Sequence, residues 1–294
     1  MAARPLQPAP RADTAPDTRS PFPDVRAVLA TRVRALVGSG EMDLTRPPGD
    51  DGLFGPSSAA WRVHGDFTAM MIGGISALLL QMLHPAALAG VWDHSGFRDD
   101  RHGRLKRTAR FIAATTFGST EQARTAIAQV RRIHDCIGGV MPDGTRYTAN
   151  DPVLLTWVHV AEVDSFLRAY LRYRDQRMSA IDQDRYLAET ATVAEALGAT
   201  DVPRSRAAID AYFASIRPDL RADHRTREVA QALLAPGDDR ATTSAMNLAV
   251  AAAIDLLPPW AQALHGRSLP TYARSAVRLG ANSMGSVLRW ALKA

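Results

Sequence analysis

Histidine is concentrated in one part of this 294-residue chain. Six of the eight histidines lie between residues 64 and 159. A neutral imidazole can bind a metal ion, and its proton exchange is centred near neutral pH. Metal binding and proton transfer are therefore the chemistries that this segment favours.

His134 has the spacing of a buried side chain. Ile127, Val130, His134 and Ile137 follow one another at steps of three and four, which places the imidazole on the apolar stripe of a helix. A buried imidazole needs a partner for each ring nitrogen. Iron is one such partner, and a backbone carbonyl is another, so the spacing leaves both a metal ligand and a core histidine open.

A second helix presents an arginine and a hydroxyl together. Arg104 and Thr108 stand four residues apart on one face with Phe111. Arginine is the side chain best matched to a carboxylate or phosphate, so this face suits an anionic group at the edge of an apolar cavity. The alternative is a surface arginine beside a threonine without a special role. Arg107, on another face, has the same two interpretations.

Two further histidines lie where the chain changes direction. Pro85 disfavours a helical conformation at His84, which predicts an imidazole at the end of a helix. His94 stands between Asp93 and Ser95, but residues adjacent in sequence cannot meet in the geometry of a hydrolase triad. Both histidines are candidates for aiming a polar group into a pocket.

His159 is predicted to have a structural role. It shares a predicted helix with Glu162 and Phe166. We interpret it as a core histidine whose hydrogen bonds are satisfied within the protein, because this is the commoner situation for a buried imidazole.

Composition predicts an all-α fold. Hydrophobic residues make up 46% of the chain, aromatic residues only 6%, and alternating β-branched segments are scarce. We expect a single helical domain over residues 23–294, globin-like or bundle-like, that encloses the site. Residues 1–22 are rich in Pro, Ala, Arg and Asp and are predicted to be a disordered arm.

Local signals divide this domain into helices. Asp66, Ser119 with Gln122, and either Asn150 or Asp151 before Pro152 are predicted to begin helices, and Gly198 to end one. Residues 141–150 form a turn in which strands are marginal, and Pro258-Pro259 is a break. Helices are predicted over 23–37, 67–83, Asp99 or Asp100 to 116, 119–137, 151–174, 179–197, 203–216, 226–234, 242–257 and 271–292.

Charge and targeting signals limit the partners. The net charge is +5, but the arginines are scattered and no nucleic-acid motif is present, so we expect no nucleic-acid partner. The apolar run Ala69–Leu83 is shorter than the ~20 residues of a membrane span, although peripheral membrane contact stays open. A single cysteine, Cys136, and the lack of a signal peptide predict a cytoplasmic location.

Several ordered motifs between residues 55 and 175 resemble one known family. It is the oxygenase family that includes the mycophenolic-acid pathway oxygenase and the bacterial latex-clearing rubber oxygenases. The motifs are Leu78-Leu79-Leu80-Gln81 with His84-Pro85, Gly90-Val91 with Asp93-His94-Ser95, Arg104-Leu105 with Arg107-Thr108 and Phe117-Gly118, Ile133-His134 with Gly138, and Tyr147 and Ala149 with Asp151-Pro152 and Trp157-Val158-His159.

The resemblance implies an all-helical fold with a non-covalent haem b. It implies that His134 is the proximal iron ligand and that Arg104 and Thr108 lie at the haem edge. Rubber oxygenases can place a lysine before that threonine on the distal side of the iron, whereas Arg107 stands here. A guanidinium stays protonated and is a poor ligand, so we expect an open or water-filled distal position. The glutamate base of rubber cleavage has no clear counterpart, so polyisoprene is not the expected substrate.

We therefore expect a haem-dependent oxygenase that acts on an apolar small molecule with dioxygen or a peroxide. Arg107, His94 or His84 would steer oxygen or move protons. A non-enzymatic haem or lipid carrier with the same fold is the alternative, and oxygen consumption with substrate would distinguish the two.

Overall fold

The computed structural model describes residues 46–97, 101–235 and 240–292, with only the main chain at residues 101, 102, 104 and 240–242. The predicted arm over 1–22, the predicted helix over 23–37 and the capping residues Asp99 and Asp100 lie outside these ranges. Nearly all regular structure in the described part is helical, which confirms the predicted all-α class.

Twelve α-helices are present in the described ranges. They are α1 (Ala59–His64), α2 (Phe67–Gln81), α3 (Pro85–His94), α4 (Arg101–Phe117), α5 (Thr120–Asp135), α6 (Pro152–Tyr173), α7 (Ala180–Leu197), α8 (Arg206–Ile216), α9 (His224–Leu234), α10 (Arg240–Leu256), α11 (Pro259–His265) and α12 (Thr271–Leu292). A 3₁₀ turn, Arg217–Asp219, follows α8. Strands β1 (Gly138–Val140) and β2 (Arg146–Thr148) pair antiparallel between α5 and α6.

The predicted caps begin these helices. The Asp66 carboxylate accepts from the Ala69 amide at the start of α2. Ser119 and Gln122 form a reciprocal capping box at α5. The Asp151 carboxylate accepts from two amides at the start of α6, where Pro152 occupies the first turn. These bonds satisfy amides that would otherwise lack a partner at a helix end.

The buried centre of the fold is the pair α2 and α6. α2 is apolar on most of its surface, as predicted, and Ile72, Leu79 and Leu80 are almost completely buried. Its neighbour α6 contributes Trp157, whose indole nitrogen donates to the Gln81 carbonyl at 3.1 Å. The Gln81 amide nitrogen donates in return to the Val158 carbonyl at 3.1 Å. The two helices are therefore joined by polar contacts as well as by apolar packing.

Ion pairs attach the C-terminal helices to this centre. The Asp255 carboxylate of α10 is enclosed and accepts from Arg172 of α6 at 3.0 Å and from Arg278 of α12 at 2.7 Å. The Asp66 carboxylate, besides capping α2, accepts from Arg289 of α12 at 3.0 Å. Both carboxylates are almost completely buried, so the ion pairs fix the position of α12.

No single helix of the described ranges is long and apolar enough to cross a membrane. Only α2 and α3 taken together pass a test of length and apolar composition, and they meet at a bend of 103°.

Candidate functional site

A helical hairpin brings the predicted cofactor residues to one end. α4 and α5 are joined through Gly118 and Ser119 alone, so they pack as antiparallel neighbours. Arg104 lies 14 residues before Gly118, and His134 lies 15 residues after Ser119. At a rise of about 1.5 Å per residue, both positions lie at the open end of this hairpin, with Thr108 one turn closer to the connection.

His134 occupies the last turn of α5, and its ring is partly buried. Its Nδ1 atom is enclosed and has no hydrogen-bond partner in the described chain. Burial lowers the pKa of His134, while the Asn150 side chain and the Asp135 carboxylate act in the opposite direction. The neutral imidazole with an available nitrogen is the form that binds a metal ion.

Asn150 is the neighbour of this imidazole that sequence reasoning missed. Its amide nitrogen donates to the Asp135 carboxylate at 2.6 Å. Its own carbonyl oxygen is buried and, like Nδ1 of His134, lacks a hydrogen-bond partner in the described chain. The Asn150 side chain nevertheless lies close enough to His134 to raise the pKa of the imidazole through a side-chain hydrogen bond, so these two atoms are poorly paired neighbours.

The residues predicted on α4 are only partly described. The side chain of Arg104 lies outside the described atoms, so only its place on the helix is known. Arg107 and Thr108 are exposed. These positions do not assign a role to Arg104, Arg107 or Thr108, so the functions of the three residues stay predictions.

His84 occupies a helix end, as predicted. Its Nδ1 atom accepts from the Ala86 amide at 3.3 Å and so caps α3. The ring lies 6.1 Å from the Trp157 ring, measured between centroids. Burial lowers the pKa of His84, while the charges of Asp219 and Asp151 oppose this. The cap and the ring contact give His84 a structural role at the junction of α2 and α3.

His94 lies beside the C-terminal end of α5. Its Nε2 atom is 3.0 Å from the carbonyl oxygen of Gly138, and its ring contacts Tyr147. The Tyr147 hydroxyl donates to the Asp93 carboxylate at 2.6 Å. Burial, together with this carboxylate, raises the pKa of Tyr147 to about 12. His94 and His134 therefore adjoin the same end of one helix, and no described contact joins either to His84.

An outer cavity of about 590 Å³ opens beside His94. It is lined by His94, Gln129, Arg132, Ile133, Cys136 and Ile137. The α5 members recur at steps of three and four, so they form one face of that helix, and Ile133 is 51% exposed there. His134 follows Ile133 by one residue and therefore points about 100° away from it.

An inner cavity of about 40 Å³ lies among α1, α4, α6 and α7. Its lining consists of Phe54, His64, Phe111, Ile112, Thr115, Thr116, His159, Glu162, Val163, Phe166, Thr190 and Val193. Phe111, Ile112 and Thr115 follow Thr108 at steps of three, four and seven. The cavity therefore lies along the face of α4 that carries Arg104 and Thr108 at its outer end.

The two histidines of the inner cavity differ in their bonding. His64 is bonded at both nitrogens, to the Thr116 hydroxyl at 2.8 Å and to the Tyr186 hydroxyl at 2.9 Å. Burial, and secondarily His159, lowers the pKa of His64 to about 3. In contrast, Nε2 of His159 is buried without a hydrogen-bond partner in the described chain. The predicted hydrogen-bonded core histidine is wrong on this point.

Glu162 faces the same cavity one turn along α6. Burial raises the pKa of its carboxyl to about 7, and burial lowers that of His159 to about 4. The spacing of three between these residues could have indicated a shared helix face from sequence alone. Their neighbours on α1 and α7 could not have been identified in that way, because they are distant in the chain.

Within the described ranges, no group of three or more His, Cys, Asp or Glu side chains could hold a metal ion.

A family model described as "ER-bound oxygenase mpaB/B'/Rubber oxygenase, catalytic domain" matches residues 61–290. No match was found among curated proteins or among solved structures.

Proposed function

Because the chain belongs to the catalytic-domain family of the mpaB and rubber oxygenases, and is therefore an oxygenase, we propose that it uses haem b to oxidise an apolar small molecule. The observation that supports the cofactor is the enclosed, unpartnered Nδ1 atom of His134. A haem needs only one strong protein ligand, and imidazole is a common one. The residues at the open end of the α4–α5 hairpin therefore fit this group.

The chain offers distinct residues for each part of that task. His134 would bind the iron, and Arg104, at the same end of the hairpin, would pair with a propionate, with Thr108 beside it. A bound haem would supply an iron that activates dioxygen or a peroxide. The lowered pKa of His134 keeps its imidazole neutral and thus able to bind.

The outer cavity is our candidate for the substrate site. Its volume of about 590 Å³ would accommodate a small molecule, and it is largely open to solvent, so one face of the molecule would stay exposed. Ile133 and Ile137 line it with apolar surface, which suits an apolar molecule. His94, at its edge, would orient the substrate or transfer a proton, and Arg107 would steer the oxidant from α4. His84 is a weaker candidate because its Nδ1 atom already caps α3.

Partners and location follow only as proposals. The exposed face of α12 carries Tyr272, Leu279, Val287 and Trp290, which would support contact with a membrane surface. We propose no nucleic-acid partner and a cytoplasmic location. Membership of an oxygenase family favours catalysis, so we do not propose the carrier function that the sequence left open.

An absorption spectrum tests the cofactor assignment. Protein produced with a haem precursor is expected to show a Soret band, and His134→Ala to lose most of it. His159→Ala is the matched control, since it removes another buried imidazole and is expected to retain haem. Arg104→Ala is expected to weaken haem binding without changing the ligand field. Loss of the band in His84→Ala, with retention in His134→Ala, would refute the assignment.

A further inference from the structure

The inner cavity contains two ionisable side chains that the described protein does not pair. Nε2 of His159 is buried and unpartnered, and no described hydrogen bond reaches the Glu162 carboxyl. A water molecule needs about 10–15 Å³ of such space, so a cavity of about 40 Å³ has room for two or three. Ordered water would satisfy both side chains, which the surrounding protein leaves unsatisfied.

The other described side chains that line the cavity do not bond to Glu162 or to Nε2 of His159, so these two groups can interact with each other through water. α4 contributes apolar rings and chains together with the hydroxyls of Thr115 and Thr116. The titratable groups that face Glu162 are His64 from α1, His159 from its own helix and Tyr186 from α7. Both nitrogens of His64 are already bonded, one of them to Tyr186. Among the described lining residues, His159 is therefore the imidazole with an unbonded ring nitrogen.

We propose that the inner cavity is a hydrated proton-holding site, in which water bridges the Glu162 carboxyl and Nε2 of His159 and supplies a proton to the reaction at the outer end of α4. The second half of this inference depends on the proposed oxygenase function and on an external one-electron donor, because reduction of dioxygen to water takes up one proton for each electron supplied. The shared face of α4 connects the two places: the cavity begins one turn beyond Thr108.

The internal transfer conserves charge. The O–H bond of Glu162 breaks as its proton passes to a cavity water, and that water gives a proton to Nε2 of His159. A carboxylate and an imidazolium replace two neutral groups, so the net charge of the cavity is unchanged. Delivery of a proton to the reaction then breaks the N–H bond of the imidazolium, and the remaining Glu162 carboxylate regains a proton from solvent. Burial raises the pKa of Glu162 to about 7 and lowers that of His159 to about 4, so the resting proton lies on Glu162.

Infrared spectroscopy of the purified protein tests the site without reference to haem. We expect a carbonyl band of a buried protonated carboxyl at pH 5 that disappears as the pH rises through about 7. Glu162→Gln should remove this band. Glu121→Gln, which changes an exposed carboxylate of α5, should retain it. The wild-type titration needs no variant, so it decides the matter even where Glu162→Gln fails to fold. A Glu162 carboxylate that is fully ionised at pH 5 would overturn the site.

The pH profile of haem-loaded protein tests the proton supply. Glu162→Gln should lower kcat about tenfold or more without changing KM and should remove the limb of the profile near pH 7, as is typical for loss of a proton donor. Glu121→Gln should leave the profile unchanged. A limb that persists in Glu162→Gln would overturn the proton supply. Failure to bind haem would refute the proposed function, whereas the infrared result would still decide the proton-holding site.

Discussion

Gly73 of α2 and Phe166 of α6 lie so close that no side chain fits between them. A Cβ atom at Gly73 would lie 2.9 Å from Cα of Phe166 and 2.9 Å from the carbonyl oxygen of Ser165. Backbone atoms cannot yield as a flexible side chain can. This glycine therefore sets the distance between the two central helices, which makes it a structural requirement of the fold.

Gly73→Ala is expected to destabilise the protein by about 2–3 kcal/mol, because the added methyl group forces α2 and α6 apart. The neighbouring Gly74→Ala is the control: a Cβ atom there would meet Phe166 at an ordinary 3.7 Å. It should be neutral or stabilise the helix by up to about 1 kcal/mol. Urea unfolding measures both variants, and equal stabilities would contradict the close approach.

Trp157→Phe is expected to cost about 2–4 kcal/mol. The substitution removes the indole donor to the Gln81 carbonyl and leaves space in a fully buried position. Trp290→Phe changes a side chain that is 55% exposed and should stay within about 0.5 kcal/mol of the wild type. Thermal unfolding followed by circular dichroism distinguishes the two variants, and a small effect at Trp157 would contradict its role in joining α2 to α6.

Asp255→Ala is expected to destabilise the protein by about 2–3 kcal/mol, since it leaves Arg172 and Arg278 without their buried acceptor. These arginines are partly exposed and can regain water, which limits the loss. Glu195→Ala removes an exposed partner of Arg204 and should cost less than about 1 kcal/mol. A loss at Glu195 as large as that at Asp255 would contradict this ranking.

The inner cavity also predicts how stability depends on pH. His64 and His159 have pKa values of about 3 and about 4 when folded and about 6.5 when unfolded, so both gain a proton on unfolding between pH 4.5 and 6.5. Their contribution to stability is therefore lost as the pH falls through this window. Glu162 has a raised folded pKa of about 7 and releases a proton on unfolding, so its contribution is lost as the pH rises.

For these three groups, the unfolded chain binds one more proton than the folded protein in that window. Stability should therefore rise with pH by about 1.4 kcal/mol per unit from this source. In Glu162→Gln the difference becomes two protons, and the slope should increase by a further 1.4 kcal/mol per unit, approximately. Urea unfolding at pH 4.5 to 6.5 measures the slopes. Parallel curves for the two proteins would contradict the buried, protonated state of Glu162.

Most helices could be predicted from sequence because their boundaries are set by local chemistry. Asp66, Ser119 and Asp151 each accept from an amide two or three residues away. Three helices were missed, α1, α3 and α11, and the last two begin with a proline. Pro85 and Pro259 were interpreted as breaks, but a proline in the first turn of a helix sacrifices no hydrogen bond and so can begin one.

The candidate site was predictable only where one helix defines it. The apolar stripe predicted a buried imidazole at His134, whereas the structure leaves it only partly buried, and the four-residue spacing predicted Arg104 and Thr108 on one helix face. Contacts across the fold gave no local signal: Thr116 and Tyr186 bind His64 from 52 and 122 residues away. The inner cavity depends on such contacts, so its unpaired groups could be found only in three dimensions.

Asp66 caps the first long helix and also receives Arg289 from the last turns of the final helix. This one carboxylate therefore joins the two ends of the region that the family model matches, residues 61–290. Removal of residues 289–292 would expose this carboxylate and leave it only the more distant guanidinium of Arg174, whose Nε atom lies 3.7 Å from Oδ2 of Asp66. Variants that lack Arg289 should therefore lose structure first around Asp66, at the start of α2, which is far from the deleted residues in the chain.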